Sequence, residues 1–242
     1  MRNSFKYASK SEQALEQAQT DKLDLICRKL QLQSGMRLLD VGCGWGTLLL
    51  HASQHYGVTG VGVTLARQQA DYARQRIANA GYANRIDIQL RDCRTIADGP
   101  FDAISSVEVT RHLPSNALPD YTRTLYRILT PGGRLLAHDL CVRGEGITLQ
   151  HNAFTAVYVF PDVTIHTLAD SIGPPTFYAW LANLTRHWDS AVASAGPQRV
   201  RAWQAMLAAG ALSCEMGWTG AHHILATRPN RPEQRRPHRG AI

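Results

Sequence analysis

The segment from Asp40 to Gly46, with the sequence DVGCGWG, contains residues whose types and spacing suggest chemistry. Its glycines, Gly42, Gly44 and Gly46, alternate with larger residues, after an apolar run and before a helical pattern. Alternate glycines let the backbone turn sharply and approach a ligand closely, and a helix N-terminus offers free N–H groups. The segment therefore predicts a loop that binds a nucleoside-containing cofactor.

The spacing of the glycines separates two classes of cofactor. A dinucleotide-binding loop follows the pattern G-x-G-x-x-G, whereas Gly46 comes directly after Trp45 and is followed by Thr47. The pattern favours S-adenosylmethionine over a dinucleotide, because the acid before the glycines, Asp40, can meet the amino-acid portion of this cofactor. A glycine turn with a purely structural role is the alternative.

Strand and helix patterns alternate along the chain around this loop. Apolar residues at helical spacing predict an amphipathic helix over residues 14–30. The predicted strands are 37–41, 59–63, 86–90, 101–107 and 134–137, and the helices among them are 47–55, 66–80 and 117–129, with a turn at 131–133. Five strand–helix units imply an α/β fold with a doubly wound parallel sheet, whose ligand crevice lies at the carboxyl ends of the strands.

The pattern changes after Leu140. Two stretches rich in Trp and Ala, residues 177–195 and 199–216, predict helices, and residues 222–227 predict one last strand. We expect a single domain over residues 1–227, with a helical lead-in at 1–30 and a second helical region at 141–218.

Composition and charge exclude some classes of protein. Hydrophobic residues make up 44% of the 242 residues and charged residues 19%, which excludes a disordered or collagen-like chain. The net charge is +7, and five arginines against one glutamate place +4 of it in residues 228–242. This segment is predicted to be a disordered basic tail, either a solubilising terminus or an arm for nucleic acid or a membrane surface.

The five cysteines are scattered and contain no C-x-x-C pair, so neither a disulfide framework nor a metal site is predicted. No apolar run has the length of a membrane-spanning helix, and the first residues are not typical of a signal peptide. We expect a cytoplasmic protein, with peripheral contact to a membrane as an open alternative.

Several stretches resemble the cyclopropane-fatty-acid synthase and mycolic-acid methyltransferase family. They are residues 15–19, 39–46, 62–69, 131–133 and 158–161, together with Trp203, and the resemblance runs from about residue 3 to 228. It implies a class I methyltransferase fold, Rossmann-like with added helices, in which residues 141–218 lie on the acceptor side. It also implies S-adenosylmethionine as donor and an acyl lipid or other alkene as acceptor.

The resemblance assigns a set of cofactor-binding residues. They are Ser4, Asp40, Gly42, Gly44, Gly46, Thr64, Gln69, Asp92 and Cys93. It places Asp40 and the glycines around the methionine end, Thr64 and Gln69 at the ribose, and Asp92–Cys93 at the adenine. Two alternatives stay open: Gln69 is a solvated helix residue, and Asp92 caps a turn.

The family places a methyl group on a carbon double bond and must then remove a proton, for which it uses a base, in many members a bound bicarbonate. At three positions where the family holds this ion the chain has Phe5, Arg111 and Gly173, and only His112 and His138 match. Arg111 either attracts an anion or pairs with a neighbouring acid.

The candidate catalytic residues that are left share a place after the fourth or fifth strand or in the later helical region. They are Glu108, His112, His138 and Tyr158, with Asp139 as a further titratable group.

Two segments of the family have no counterpart. A further N-terminal segment would precede residue 1, and a stretch between Leu168 and Pro174, which in the family includes the outer edge strand, is missing. We expect a shorter sheet and a more open acceptor side.

These observations predict a methyltransferase that acts, preferentially at carbon, on a hydrophobic or lipid-like small molecule. The alternative is a cofactor-binding protein whose acceptor site has decayed. A nucleic-acid methyltransferase is disfavoured, because the fold shows no aromatic and basic platform. The sequence does not indicate the oligomeric state.

Overall fold

The computed structural model describes residues 12–142, 175–216 and 219–230. Seven α-helices lie in these ranges: α1 Glu12–Lys29, α2 Thr47–Tyr56, α3 Arg67–Asn79, α4 Leu118–Ile128, α5 Pro175–Arg186, α6 Trp188–Ala195 and α7 Pro197–Glu215. The six strands there are β1 Arg37–Val41, β2 Thr59–Thr64, β3 Ile86–Leu90, β4 Phe101–Val107, β5 Leu129–Val142 and β6 Thr219–Thr227.

The six strands form one sheet in the order β3-β2-β1-β4-β5-β6. β1 pairs in parallel with β2 and β4, and β2 pairs in parallel with β3. β1 is buried except at its first residue, and its buried residues are apolar apart from Asp40, as expected for a parallel strand covered on both faces. The predicted α/β fold with a doubly wound sheet is confirmed. The missing edge strand would fall within residues 143–174, which lie outside the described ranges.

The chain divides into two compact units. The first, here called the sheet unit, consists of Cys27–Ser106, Pro119–Leu136 and Ile224–Ile242. The second, here called the helical unit, consists of Met1–Ile26, Val107–Leu118 and Ala137–His223. The single domain over residues 1–227 stays a prediction.

Helices of the sheet unit use short apolar stripes to cover the strands. In α3 the buried residues are Ala70, Ala73 and Ile77, at the spacing of one helix face. In α4 the buried Tyr121 also brings its hydroxyl to 2.7 Å from Ser106 Oγ in β4. The bounds of β1, β3 and β4 agree with those that the sequence predicts.

Three predicted elements differ from the structure. β5 begins at Leu129 and includes the predicted turn at 131–133, because Gly132 and Gly133 exchange backbone hydrogen bonds with Arg228. The predicted helix over 177–195 is two helices, since His187 leaves helical geometry with φ −106° and ψ 28°. A short 3₁₀ turn, and no α-helix, follows β3.

Arg228, the first residue of the predicted disordered tail, is part of the fold, so this boundary was wrong. Its guanidinium donates to the carbonyl oxygens of Leu129, Arg127 (3.2 Å) and Tyr126 (3.3 Å), at the end of α4. The last carbonyls of a helix have no partner within the helix, so this arginine caps α4. Residues 231–242 lie outside the described ranges.

None of the helices that the structure describes is both long and apolar enough to cross a membrane.

Candidate active site

The glycine loop follows β1 and leads into α2. Gly42, Gly44 and Gly46 have φ of 69°, 53° and 73°, in the left-handed region that favours glycine. The backbone N–H of Cys43 donates to Val63 O at 3.0 Å, which fixes the loop against the end of β2. The alternate glycines of the sequence therefore make one compact turn at the carboxyl end of the sheet.

Gly44 and Gly46 serve different purposes. A Cβ at Gly46 would lie 3.1 Å from Ala73 Cβ and 3.3 Å from Ile77 Cδ1, so this glycine permits close packing of α3 on the loop. Among the described residues, a Cβ at Gly44 would meet only Gly42 O, at 4.0 Å, so this position is open toward the described part of the chain. The open position at Gly44 is the one that fits a ligand approaching the backbone.

Asp40 lies in β1 next to its last residue, Val41, beside this loop, and is only 3% exposed. Its carboxylate accepts a hydrogen bond of 2.6 Å from Ser105 Oγ in β4. Burial raises the pKa of Asp40 to about 7, and the Ser105 hydrogen bond offsets part of that rise. A carboxyl group in this state takes up a negative charge readily when a cationic group binds beside it.

Thr64 and Gln69 lie together at the end of β2 and the start of α3. The Thr64 hydroxyl donates to Gln69 Oε1 at 2.9 Å and accepts from Ala66 N at 3.2 Å. The side chain of Gln69 is thus held by Thr64, which differs from the alternative of a simply solvated helix residue.

Asp92 and Cys93 follow β3. The Asp92 carboxylate accepts from Arg94 N at 2.8 Å and from Arg94 Nε at 3.0 Å, and the Arg94 hydrogen bond lowers the pKa of Asp92. Asp92 therefore caps the short 3₁₀ turn, as the structural alternative stated. The N–H of Arg91 donates to Thr64 O at 3.0 Å, which places this turn beside the end of β2. Burial raises the pKa of Cys93 to about 11, so it remains a thiol.

In the helical unit, Glu108 comes directly after β4. Its φ is +58°, and this left-handed backbone conformation is energetically unfavourable for any residue other than glycine. The backbone N–H of Glu108 donates to His138 O at 2.7 Å. The carboxylate forms an ion pair with Arg111 and lies 3.8 Å from His138 Nε2. Arg111 thus pairs with a neighbouring acid, which is one of the two roles that the sequence left open.

Asp139 lies next to His138 in β5 and is 8% exposed. Its carboxylate accepts from Thr110 N at 3.1 Å. Burial raises the pKa of Asp139 to about 6, and the charge of Glu108 adds to the rise. Asp139 can therefore take up a proton close to neutral pH.

Two further residues that interact with Glu108 or His138 were not predicted from the sequence. The ring of His223 in β6 packs at 4.4 Å from the ring of His138. Lys22 of α1 has its pKa lowered by burial and raised by the charge of Glu108. Lys22 lies four residues after Ala18 and four before Ile26, on the apolar stripe of the helix, and that position was the available signal.

The other predicted residues are placed as follows. His112 belongs to a short 3₁₀ turn, and its side chain is exposed. Ser4 and Tyr158 lie outside the described residues, as do Phe5 and Gly173. The sheet therefore gathers the cofactor residues of β1, β2 and β3 in the sheet unit, and the helical unit gathers Glu108, His138 and Asp139.

Comparison with known proteins identifies the family. Residues 1–172 match the family model described as mycolic acid cyclopropane synthetase. The chain belongs to this family. The resemblance that the sequence suggested is thereby confirmed.

The chain is 35% identical over 237 residues to a protein of Mycobacterium tuberculosis named probable fatty acid methyltransferase. The match covers 90% of this chain but 55% of that relative, so the chain spans about half the length of the relative.

Two solved structures show the same fold. A cyclopropane synthase from Mycobacterium tuberculosis has a TM-score of 0.82 and 24% identity, over 91% of this chain and 88% of that one. A mycolic acid cyclopropane synthase complexed with SAH and CTAB has a TM-score of 0.80 and 24% identity, over 88% and 85%. The expectation of a class I methyltransferase fold is confirmed.

Proposed function

We propose that this chain is an S-adenosylmethionine-dependent methyltransferase whose acceptor is a hydrophobic or lipid-like molecule, methylated preferentially at carbon. The observation that carries the proposal is the glycine loop, with its open position at Gly44 beside the buried Asp40. Membership of the mycolic acid cyclopropane synthetase family and the likeness to a fatty acid methyltransferase support a lipid-like acceptor.

The residues of the sheet unit fit the cofactor. Asp40 supplies a carboxylate for the ammonium group of the methionine portion, and Gly44 leaves room for the backbone to approach it. The linked pair of Thr64 and Gln69 offers polar groups for the ribose hydroxyls. Asp92 can accept a hydrogen bond from the adenine only while its carboxylate also accepts one from Arg94. When bound, the cofactor supplies an electrophilic methyl group.

The residues of the helical unit fit the removal of a proton. Methylation of an alkene would break the bond between the methyl carbon and the cofactor sulfur, which keeps the electron pair, and would form a carbon–carbon bond. The carbocation left on the acceptor would be neutralised when a nearby carbon loses a proton to a base. We propose Asp139, whose pKa burial raises to about 6, as the group that accepts such a proton near neutral pH. We further propose that the protein is cytoplasmic and meets its acceptor at a membrane surface.

The first test is calorimetry with S-adenosylmethionine. Gly44→Ala should weaken binding by about tenfold or more, because the methyl group of the alanine enters the space where the methionine portion of the cofactor would lie. Gly81→Ala is the matched control, since Gly81 also has a positive φ, +80°, and no neighbour within 4 Å of its Cβ position. Equal affinities of the two variants would contradict the assignment of the loop.

The second test is incubation with labelled S-adenosylmethionine and a total lipid extract. Transfer of label to lipid is expected. Binding of the cofactor without label in any lipid would favour the alternative, a cofactor-binding protein with a decayed acceptor site. Label in RNA or DNA would favour a nucleic-acid methyltransferase.

The third test concerns the kind of methylated product. Unsaturated phospholipid vesicles, with and without bicarbonate, should yield little cyclopropane, because Arg111 stands where the family has a glutamate and it pairs with Glu108. Loss of the bicarbonate base that this glutamate helps to hold in the family should lower the rate of ring closure by a factor of roughly 100 to 10,000. Bicarbonate-dependent cyclopropane formation, seen by mass spectrometry at a rate near that of an intact relative, would contradict this expectation.

A further inference from the structure

The outer face of α7 is apolar although it is exposed. Ala205, Ala208 and Leu212 are exposed and follow one another at intervals of three and four residues, which places them on one line along the helix. Leu212 is 53% exposed, and Met216, which caps the helix, is 52% exposed. Val200 and Leu207 are buried on the neighbouring side of the helix. A helix that is apolar over more than the side it already buries is typical of one that is covered there as well.

The charges at the ends of this face are opposite. Arg201 and Glu215 are both exposed, and each lies seven residues from Ala208, one on either side. Seven residues are nearly two turns, so both side chains lie on the line of Ala208, each about 10 Å from it along the axis. The face is therefore positive at one end, negative at the other, and small and apolar in the middle.

We propose that this face of α7 is a two-fold interface between two copies of the chain, with the helices antiparallel and crossing at Ala208. In that arrangement Arg201 of each copy meets Glu215 of the other, so both ends gain an ion pair. Alanine at the crossing point lets two helices approach closely, and two-fold dimers are the commonest homo-oligomers. The pattern is self-complementary, as a two-fold interface requires.

A residue of α5 holds the carboxylate at the negative end of this face. The hydroxyl of Tyr178 in α5 donates to Glu215 Oε1 at 2.8 Å, which holds the carboxylate in place and adds an aromatic ring, 45% exposed, beside it. The 19 residues of α7 span about 28 Å, so this helix pair alone is smaller than a standard interface. We therefore expect a weak dimer, with a Kd in the range of roughly 1 to 100 µM.

A membrane surface fits this face less well. Helices that lie on membranes carry basic residues along the polar boundary and bulky apolar residues on the inserted face. Here alanines, Ala205 and Ala208, occupy most of the middle of the face, Leu212 is its one bulky apolar residue there, and one end carries Glu215.

Sedimentation equilibrium of the full chain, from about 1 to 200 µM, tests the proposal. The wild type should dimerise, and Arg201→Glu and Glu215→Arg should each weaken the dimer by at least about tenfold, because each change turns two ion pairs into two repulsions. The double variant R201E/E215R should regain the dimer, since both pairs are then reversed. Arg199→Glu is the matched control, because this exposed arginine lies on another side of α7 and its change should leave the dimer intact.

A second measurement does not depend on the charge variants being folded. In Ala208→Cys the two cysteines face each other across the two-fold axis, so mild oxidation should give a disulfide between two copies at position 208, identified by mass spectrometry. A monomer at every concentration overturns the proposal. So does a dimer that survives both single charge reversals, or one that forms without the disulfide at position 208.

Discussion

The buried carboxyl group of Asp40 makes the protein sensitive to pH. Its pKa is about 7 in the folded chain, because burial disfavours the charged form, against 3.8 as the ordinary value. A raised acid pKa favours folding while the group keeps its proton, and this advantage is lost as the pH rises through the folded pKa. The cofactor-free protein should therefore lose stability between about pH 4 and 7.

Asp40→Asn should abolish that loss, because an amide does not titrate. Urea unfolding at pH 5 and pH 8 should show wild type losing on the order of 1 kcal/mol or more over this interval relative to the variant. In calorimetry, the affinity of wild type for S-adenosylmethionine should rise from pH 6 to 8, while the variant should bind weakly throughout. Parallel pH profiles for the two proteins would contradict the proposed role of Asp40.

Glu108 is held in a left-handed conformation that suits glycine better. Both Glu108→Ala and Glu108→Gly remove the carboxylate and its ion pair with Arg111, but only glycine relieves the backbone at φ +58°. The glycine variant should be more stable than the alanine variant by about 1 kcal/mol in urea unfolding.

The same two substitutions at Gln75 serve as the control for this comparison. Gln75 lies on the exposed side of α3, where glycine should be the less stable of the two by about 1 kcal/mol. If alanine is also the more stable residue at position 108, the strain at Glu108 is not real. Both Glu108 variants should also lower methyl transfer to lipid while leaving cofactor affinity unchanged.

At the scale of elements, α4 ends where Arg228 meets its last carbonyl groups. Arg228→Ala should lower the free energy of unfolding by about 1 to 2 kcal/mol, since loss of the guanidinium removes the donor to the part-buried carbonyl of Leu129 and to two exposed carbonyls. Arg123→Ala in the same helix is the matched control. Its exposed ion pair with Asp120 should contribute less than about 1 kcal/mol. Equal effects of the two changes on urea unfolding would show that the cap is unimportant.

Residues from the glycine loop and from the ends of two strands together form the proposed cofactor site. Gly46 is needed for the packing of α3 on the loop, whereas Gly44 borders open space. The residues Thr64 and Asp92 come from the ends of β2 and β3, which the sheet places next to β1. Parallel strands in the order β3-β2-β1 bring these three ends to one edge, and this order therefore determines the cofactor residues that lie together.

At the scale of the whole molecule, the fold extends beyond the boundary that composition predicts. Truncation after Asn230 should leave the melting temperature and the affinity for S-adenosylmethionine unchanged, because residues 231–242 contain almost no apolar side chains. Truncation after Thr227 should lower the melting temperature at least as much as Arg228→Ala does, since it removes the same cap and also the backbone hydrogen bonds of Arg228 to Gly132 and Gly133. Differential scanning calorimetry separates the two. A large loss of melting temperature after truncation at Asn230 would show that the tail packs on the domain.

The sequence by itself determined the features that depend on neighbours along the chain. The bounds of β1, β3 and β4 follow from apolar runs, and the loop from Asp40 to Gly46 follows from its glycine spacing, because periodicity and turn chemistry are local properties. The family likeness rests on such local segments, and so the fold class and the cofactor proposal could be made without a structure.

Only the tertiary structure decided the properties that depend on partners far along the chain. Ser105 lies 65 residues from Asp40, and Arg228 lies 99 residues from Leu129, yet these contacts set a pKa and the end of a helix. The approach of Lys22 to Glu108 and the left-handed backbone of Glu108 likewise have no pattern in the sequence. Sheet order and burial bring these groups together, and desolvation then sets their charge, so neither can be derived from local spacing.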